Sequence, residues 1–244
     1  MTMTLCIDVG GTGLKAAVVA EDGTLASERV KIPTPYPCPP QRLIDSLLKL
    51  TRDLPAAERV SVGFPGLVRS GRIWHVPALS RAVYGGPKDE ELSSAWHGFD
   101  LQSALHQALD RPVIVANDAD VQGAAVVMGQ GFEFVLTLGT GVGTAVFNDG
   151  VLIPHMELSH ATFRKGETYD MQMGNATRKA IGNERWLKRV YKSITSFDNF
   201  LYFDALHIGG GNAKYLDPAR LPAKARIVSN TAGLIGGVRL WDHV

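Results

Sequence analysis

The stretch CIDVGGTGLKAAVVAEDGTL at residues 6–25 returns, in altered form, as VLTLGTGVGTAVFNDGVL at residues 135–152. Both copies contain an apolar run, a Gly-Thr-Gly turn, a second apolar run and an Asp-Gly turn, which is the pattern of a β-hairpin. A repeat over this separation predicts two related domains. Because glycine turns let backbone N–H groups approach an anion closely, the two turns are candidates for binding one phosphate chain.

The composition is that of an ordinary globular protein. Of the 244 residues, 45% are hydrophobic and 20% are charged, and the net charge is +1. This balance argues against disorder, and the small charge provides no global attraction for nucleic acid or an anionic membrane. No apolar run is long enough to span a membrane. Cys6 and Cys38 are too few for a disulfide framework, and the first strand begins too early for a signal peptide, so we expect a cytoplasmic protein.

Strand and helix patterns alternate along the chain, which predicts an α/β protein. Strands are predicted at residues 5–8, 14–20, 30–32, 60–64, 113–116, 206–208 and 225–228. Helices are predicted at residues 42–52, 100–109, 119–128, 168–202 with a break near Gly182, and 231–241. Asp100 is a suitable N-cap for the second helix. We expect domains at residues 1–115 and 116–244.

Two segments lack a regular pattern. Residues 33–40, PTPYPCPP, are too rich in proline for a helix or strand and predict a surface connector. Residues 81–94 contain glycine, proline and charges, and we interpret them as an insertion or lid.

The first turn has the spacing of a dinucleotide-binding motif, since Gly11, Gly13 and Ala16 fit G-x-G-x-x-A. That motif requires a helix directly after the glycines, whereas residues 15–20 have β character and end at an Asp-Gly turn. The Walker A pattern is missing as well, because no Gly-Lys-Ser/Thr follows the glycines. A plain tight hairpin and a phosphate-binding turn remain, and the second copy favours the latter.

The phosphate-binding interpretation assigns a role to each part of the hairpins. Asp8, at the end of the first strand, is a candidate ligand for Mg²⁺, which favours one or two carboxylates together with phosphate oxygens. Residues 10–13 are expected to contact phosphate through their N–H groups, and residues 139–143 to supply a second cradle.

Asn117 and Asp118 follow a short strand and open a helix, which leaves two interpretations of Asp118. It either caps the helix or acts as a general base that accepts the proton of a substrate hydroxyl. A carboxylate is a weak base in water, so positioning must contribute most of the effect. Phosphoryl transfer suits such a base, because the protein mainly aligns the hydroxyl and neutralises phosphate charge.

Two further groups of polar residues can be interpreted either as ordinary surface residues or as ligand-binding residues. Glu157 and His160 are either surface residues or ligands of adjacent hydroxyls on a polyol. Residues 164–192 carry eight Lys and Arg against three Asp and Glu, which indicates either a solvated helix face or a track for a long polyanion. No helix-turn-helix or zinc pattern supports nucleic-acid binding.

Together these motifs resemble those of the ROK family of sugar kinases. The shared motifs are DVGGTGLK at 8–15, NDAD at 117–120, LTLGTGVGTAV at 136–146, the E-x-x-H of Glu157 and His160, and HIGGG at 207–211. The resemblance implies an α/β protein with the two-domain actin-like ATPase fold, also described as hexokinase- or ribonuclease H-like.

The resemblance also implies a role for each site residue. Asp118 would be the catalytic base for a sugar 6-hydroxyl, while Asn117, Glu157 and His160 would bind the sugar and Asp8 the metal. The phosphate-binding positions would be Gly10, Gly11, Thr12, Gly13, Lys15, Gly139, Thr140, Gly141, Gly143 and Gly210.

Two features of the sequence are similar to those of the polyphosphate glucokinase branch of the family. The first turn reads Gly-Gly-Thr-Gly-Leu-Lys where ATP-dependent members read Gly-Gly-Thr-Lys, and no cysteine follows Cys38 to build the zinc site of many members, so no zinc is expected. The implied activity is Mg²⁺-dependent transfer from polyphosphate or ATP to the 6-hydroxyl of glucose or a related hexose, by a homodimer without nucleic-acid or membrane partners.

Two alternatives to this activity remain, and two departures bear on the sugar. The alternatives are a strictly ATP-dependent hexose or N-acylhexosamine kinase, and a non-catalytic sugar-binding member. Ser159 stands where the family has glycine, and Leu79 or a residue of 81–94 occupies the place of a sugar-binding asparagine. Since a missing hydrogen-bond partner changes discrimination between hydroxyl patterns, the sugar need not be glucose.

Overall fold

The chain folds into two units, each built around a five-stranded mixed sheet. The computed structural model describes residues 1–228 and 232–244, without the side chains of residues 232–234. Unit 1 comprises Met1–Ala125 and Gly233–Asp242, and unit 2 comprises Val126–Ala232 and His243–Val244. Residues 116–125, which the sequence pattern assigned to the second domain, therefore group with unit 1.

The described helices and strands alternate in the order expected of an α/β protein. The strands are β1 (Met3–Val9), β2 (Gly13–Ala20), β3 (Val30–Pro33), β4 (Arg59–Phe64), β5 (Leu67–Arg69), β6 (Arg72–His75), β7 (Phe99–Asp100), β8 (Val113–Asn117), β9 (Phe132–Leu138), β10 (Val142–Asn148), β11 (Val151–Leu152), β12 (Thr162–Arg164), β13 (Glu167–Thr168), β14 (Ala205–Gly209) and β15 (Ala225–Ile227). The helices are α1 (Pro40–Thr51), α2 (Glu90–Trp96), α3 (Leu101–Leu109), α4 (Asp118–Ala124), α5 (Tyr169–Met173), α6 (Asn175–Ile181), α7 (Asn183–Leu201) and α8 (Ala232–Arg239). Among the described residues, no helix combines the length and apolarity needed to cross a membrane.

The two main sheets have the same strand order and the same strand directions. In unit 1 the order is β3-β2-β1-β4-β8, with β2 antiparallel to both neighbours and β1, β4 and β8 parallel. In unit 2 the order is β11-β10-β9-β14-β15, with the corresponding directions. The repeated hairpin thus occupies the same place in both sheets. A strand, β2, follows the first glycine turn, which confirms the argument against a dinucleotide-binding helix.

Several boundaries differ from those predicted, each for a local reason. The helix after Asn117 ends at Ala124 rather than at residue 128, because the N–H groups of Met128 and Gly129 donate to the Glu133 carboxylate instead. The helical region 168–202 is interrupted near Gly182, as predicted, and also at Gly174. The small sheet β5-β6-β7 was not predicted.

The closing helix packs within unit 1 through glycines. A Cβ atom at Gly236 would lie 1.8 Å from the carbonyl oxygen of Val121 in α4, and one at Gly237 would lie 2.7 Å from Cys6 Sγ. Only glycine allows this approach of α8 to its neighbours. The predicted start of this helix, Thr231, lies outside the described residues.

A buried chain of hydrogen bonds stabilises unit 2. The side chains of Glu133 and His207 are fully buried, and His207 Nε2 lies 2.6 Å from Glu133 Oε2. Arg226 Nε donates to His207 Nδ1 at 2.8 Å, so Nε2 carries the proton that Glu133 accepts. Glu133 also accepts the N–H groups of Met128 and Gly129, which connects the start of the unit to its sheet.

This network shifts both titratable groups. Burial raises the pKa of Glu133, but the hydrogen bonds from Met128, His207 and Gly129 outweigh it, so the pKa lies below its ordinary value. The pKa of His207 is lowered mainly by burial, to which the charge of Arg226 adds. The structure therefore favours an ionised Glu133 and a neutral His207.

We expect the Glu133→Gln variant to have a lower free energy of unfolding by about 1–3 kcal/mol, because an amide cannot replace the carboxylate as acceptor for all these donors. Glu184→Gln is the matched control, since Glu184 pairs with Lys188 on the exposed surface of α7, and the loss of an exposed ion pair should leave stability nearly unchanged. Urea unfolding of both variants checks the difference, and equal effects would contradict the role of Glu133.

Stability should also depend on pH through His207. As the pH falls below the ordinary histidine pKa of about 6.5, the unfolded chain takes up a proton at this residue before the folded chain does, so the free energy of unfolding decreases. A His207→Gln variant lacks this proton uptake and should lose less stability between about pH 7 and about pH 5. Urea unfolding at both pH values makes the comparison; identical pH dependence would show that His207 contributes nothing.

Candidate active site

Asp8 and Asp118 lie at the same edge of the unit 1 sheet. Asp8 is paired with Gly63 on β4, and Gly63 is paired with Ala116 on β8. Since these strands are parallel, their carboxyl ends meet at one edge, where open α/β sheets bind ligands. The edge carries Asp8 and the glycine turn after β1, together with Asp118 two residues beyond Ala116.

The structure separates the roles of Asn117 and Asp118. Asn117 is the N-cap of α4: its Oδ1 accepts the N–H of Ala119 at 2.7 Å, and its Nδ2 donates to the carbonyl of Gly66 at 2.9 Å. Asp118 is the first helical residue and is half-buried. The capping function therefore belongs to Asn117, which is buried and committed to two structural bonds, and the interpretation of Asp118 as the cap is wrong.

Asp8 forms an ion pair with Lys15. The two residues are directly opposite on β1 and β2, and Lys15 Nζ lies 2.7 Å from Asp8 Oδ2. Both side chains are substantially exposed, and an exposed pair of this kind contributes little stability. Either partner can therefore exchange for a ligand at small cost: a cation for Asp8, a phosphate for Lys15.

The residues at this edge fit a Mg²⁺ ion whose ligands come mainly from water and from the phosphate oxygens of a bound substrate. Within the described residues, no three His, Cys, Asp or Glu side chains are grouped to hold a metal. Asp8 supplies a single accessible carboxylate, and Mg²⁺ commonly combines one or two carboxylates with waters and phosphate oxygens.

The carbonyl groups of the first glycine turn are anchored from one side. Thr34 Oγ1 donates to the carbonyl of Gly10 at 2.5 Å, and the Tyr36 hydroxyl donates to that of Gly11 at 2.7 Å. In a planar trans peptide the next N–H points the opposite way. The N–H groups of Gly11 and Thr12 are thus turned away from Thr34 and Tyr36, and neither donates to another atom within residues 1–228 and 232–244.

The connector 33–40 is thus more than the predicted surface link, because it carries Thr34 and Tyr36. The insertion 81–94 also reaches this turn: a Cβ atom on Gly11 would lie 3.3 Å from Tyr84 Cε2 and 3.2 Å from Ala78 Cβ. Tyr84 is nevertheless largely exposed. The insertion therefore places an exposed aromatic ring beside the turn.

The second glycine turn is anchored in the same manner by other residues. Asn212 Nδ2 donates to the carbonyl of Gly139 at 3.0 Å, and the N–H of Asn175 donates to that of Thr140 at 3.0 Å. The N–H groups of Thr140 and Gly141 therefore point away from these anchors. The N–H groups of Gly10 and Gly139 donate within the turns, to the carbonyls of Gly13 and Gly141. Each turn therefore directs two N–H groups outward, those of the two residues that follow its anchored carbonyls.

Gly210 and Gly143 have different surroundings. Gly210 has a φ of +87°, and a Cβ atom there would lie 2.4 Å from the carbonyl oxygen of Leu138, so the residue must be glycine. This close approach brings the turn after β14 against the end of β9. Gly143 lies inside β10, and its N–H donates to Thr137 Oγ1 at 3.2 Å. Phosphate binding through that N–H would require this bond to open.

Glu157 and His160 lie on a segment that runs back along β10 toward the glycine turn. The N–H of Ile153 donates to the carbonyl of Val146, and Thr144 Oγ1 donates to that of Met156. The chain thus approaches the turn as it reaches Glu157, which places the predicted sugar ligands and the second turn at one end of the sheet.

The Glu157 carboxylate lies between two imidazole rings. Its oxygens are 3.7 Å from His155 Nε2 and 3.9 Å from His160 Nε2. His155 is buried, whereas His160 is partly exposed. Ser159, in place of the usual glycine, is buried with no hydrogen-bond partner for its hydroxyl among the described residues. Leu79 is fully buried in the unit 1 core and presents no polar group to a sugar.

Sequence reasoning missed the residues that hold the two turns. These are Thr34, Tyr36, Asp170, Asn175 and Asn212. Asp170 accepts the N–H of Val142 at 2.7 Å, where β10 begins. His155 was missed as well, although its spacing of two from Glu157 in an extended segment placed both on one side. For the others no local signal exists, because each is separated from its turn by more than twenty residues.

Comparison with known proteins agrees with this arrangement. The family model described as ROK family matches residues 4–160. Polyphosphate glucokinase of Mycobacterium tuberculosis is 26% identical over 245 aligned residues, covering 94% of this chain and 88% of the relative. N-acetylmannosamine kinase of Escherichia coli is 36% identical over 155 residues, covering 62% of this chain and 49% of the relative.

The solved structures agree with the fold as well. The inorganic polyphosphate/ATP-glucomannokinase of Arthrobacter sp. strain KM matches with a TM-score of 0.79 and 27% identity, each chain being covered completely. The predicted fold class, the two-domain actin-like ATPase fold, is thereby confirmed. With a family match across more than half of its length, this chain belongs to the ROK family, and its relatives over most of its length are sugar kinases.

Proposed function

We propose that this protein is a sugar kinase that transfers a phosphoryl group from inorganic polyphosphate or ATP to the 6-hydroxyl of glucose or a related hexose. The observation that supports this most strongly is that Asn117 and Asp118, at the end of β8, have different roles. Asn117 caps the helix, so Asp118 is not needed as the cap, and it stands at the same sheet edge as the first glycine turn. A carboxylate beside a phosphate-binding turn has the chemistry of a hydroxyl kinase.

The proposed reaction transfers one phosphoryl group and one proton. The sugar hydroxyl oxygen attacks the terminal phosphorus of the donor, and its proton passes to the Asp118 carboxylate. A new O–P bond forms while the bridging P–O bond of the donor breaks, and its electron pair leaves on the shortened donor. The products are a sugar phosphate and the donor with one phosphate fewer.

The remaining residues bind and orient the reactants. Glu157 and His160 are the proposed sugar ligands, and their segment is tied to β10 by the bond from Thr144 to Met156. The N–H groups of the two glycine turns neutralise phosphate charge. Asp8 would hold Mg²⁺, which would supply further charge neutralisation when bound, and Lys15 would then be released toward phosphate. A homodimer remains a prediction.

A second candidate is an ATP-dependent N-acylhexosamine kinase. It is supported by the 36% identity to N-acetylmannosamine kinase over 155 residues and by the buried hydroxyl of Ser159, which replaces the usual glycine beside the proposed sugar ligands. Initial rates for glucose, mannose and N-acetylmannosamine, each with polyphosphate and ATP, separate the two candidates. Transfer to none of these sugars from either donor would contradict both.

We expect Asp118→Asn to reduce kcat by about 10²–10⁴, because the proton acceptor is lost, while sugar binding changes little. Asp110→Asn is the control in the same unit, since Asp110 is exposed at the end of α3 with a φ of 51°, a conformation that asparagine adopts readily. Steady-state rates and calorimetric sugar binding measure both effects. A rate for Asp118→Asn within tenfold of the parent would exclude Asp118 as the base.

The anchoring of the first turn leads to a separate expectation. Tyr36→Phe removes the hydrogen bond to Gly11 and should raise the KM for the phosphate donor about fivefold, the equivalent of one hydrogen bond, with the KM for the sugar unchanged. Tyr191→Phe loses a comparable bond, from the Asp217 N–H, and should leave the donor KM unaltered. Equal effects of the two variants would show that orientation of the Gly11 peptide is not used in donor binding.

A further inference from the structure

Two cations lie over the ring of Tyr215 in unit 2. The guanidinium carbon of Arg178 is 4.5 Å from the ring centroid, and Lys214 Nζ is 5.2 Å from it. Both distances are within the range of cation–π attraction. The ring thus holds two like charges close together.

Arg178 is connected to the second glycine turn through Asn175. Its Nε and Nη2 atoms donate to Asn175 Oδ1 at 3.1 and 2.9 Å, and the N–H of Asn175 donates to the carbonyl of Thr140. Nη1 donates to Asn183 Oδ1 at 2.8 Å. The residue that anchors the turn therefore also sets the position of the guanidinium.

Lys214 is connected to the same turn from the other glycine segment. It lies two residues after Asn212, whose Nδ2 donates to the carbonyl of Gly139. It belongs to the 3₁₀ turn Ala213–Tyr215, which begins three residues after Gly210, the glycine with a φ of +87°. Its side chain is exposed. The two cations thus extend from the two segments that enclose residues 139–141.

Neither cation has an anionic partner in the part of the chain that the structure describes. The hydrogen-bond partners of the Arg178 guanidinium are amide oxygens, and no carboxylate within the described part of the chain forms an ion pair with Arg178 or Lys214. Two positive charges on the segments that anchor the second glycine turn create a local field for anions.

Three other basic residues in the described part of the unit lack this combination. Lys188 pairs with Glu184, and Lys224, which lies over Phe203, pairs with Asp198. Arg189 donates to the carbonyl of Gln172. The basic segment 164–192 is therefore partly a solvated and ion-paired face, and Arg178 is the member that is bonded to a turn anchor.

We propose that Arg178, Lys214 and Tyr215 form a subsite for inorganic polyphosphate, which holds the phosphates that follow those bound by the second glycine turn. The proposal rests on the proposed kinase function and extends it to the choice of donor. Every phosphate along polyphosphate carries negative charge, whereas the chain of ATP ends in an uncharged nucleoside after three phosphates. A ring already covered by cations offers little surface for an adenine to stack on.

The test measures polyphosphate binding and steady-state kinetics of the 244-residue chain and of its single variants. We expect Arg178→Met and Lys214→Met each to weaken the binding of long-chain polyphosphate at least about tenfold, the effect of losing one charged contact. Their KM for long-chain polyphosphate should rise similarly, while the KM for ATP changes less than about threefold. Added salt should weaken polyphosphate binding less in the variants than in the parent.

Arg220→Met is the matched control. Arg220 lies 4.3 Å from the ring centroid of Tyr191, so it is also a cation over a tyrosine, but no hydrogen bond joins it to either glycine turn among the described residues. Its polyphosphate affinity should stay within about twofold of the parent. Lys214→Arg keeps the positive charge and should retain polyphosphate binding. Because Lys214 is exposed, neither Lys214→Met nor Lys214→Arg should disturb the fold, so comparing these two variants tests the subsite even if Arg178→Met unfolds the chain.

Three results would contradict the subsite. Unchanged polyphosphate binding in both Met variants, an equal loss for Arg220→Met, or an equal rise in the KM for ATP would overturn the subsite. If the parent transfers phosphate from polyphosphate and the Met variants bind polyphosphate as tightly as the parent, the kinase function is supported and the subsite is contradicted. Selective loss of polyphosphate binding in a chain that phosphorylates no sugar would support the subsite and overturn the proposed function.

Discussion

The orientation of a few peptide groups underlies the whole candidate site. Hydrogen bonds to the carbonyl oxygens of a glycine turn fix the direction of the N–H groups that follow them, because a planar trans peptide directs the two groups oppositely. Thr34 and Tyr36 occupy the carbonyls of the first turn, and Asn175 and Asn212 those of the second. The hairpins alone would be flexible loops of small residues; the anchors make them directed sets of donors.

The same anchors connect the turns to the rest of the chemistry within each unit. In unit 2, Asn175 positions the Arg178 guanidinium as well as the Thr140 peptide. The segment bearing Glu157 is tied to β10 a few residues from the turn. In unit 1, Asn117 caps α4, and Asp118 follows it as the first residue of the helix. Binding groups and reactive groups are therefore held by shared backbone contacts.

Features that depend on short spacing were predictable. The hairpin repeat, the strand after the first glycine turn, the break near Gly182 and the cap at Asp100 all follow from residues within a few positions of one another. The break at Gly174 was not predicted. A Cβ atom there would lie 3.0 Å from the carbonyl oxygens of Asp170 and Thr140, and Thr140 is distant in the chain. The early end of α4 depends likewise on a buried carboxylate, that of Glu133.

The sequence by itself determined that two glycine turns, each between strands, accompany an Asn-Asp pair and a Glu-x-x-His pair, because hairpin periodicity and motif spacing are local properties. Only the tertiary structure decided that Asn117 rather than Asp118 is the cap, that residues of the proline-rich connector anchor the first turn, and that Arg178 and Lys214 share one aromatic ring. These depend on contacts between residues far apart in the chain, and such contacts leave no periodic signal, since any residue with a suitable donor can satisfy a carbonyl once the fold brings it there.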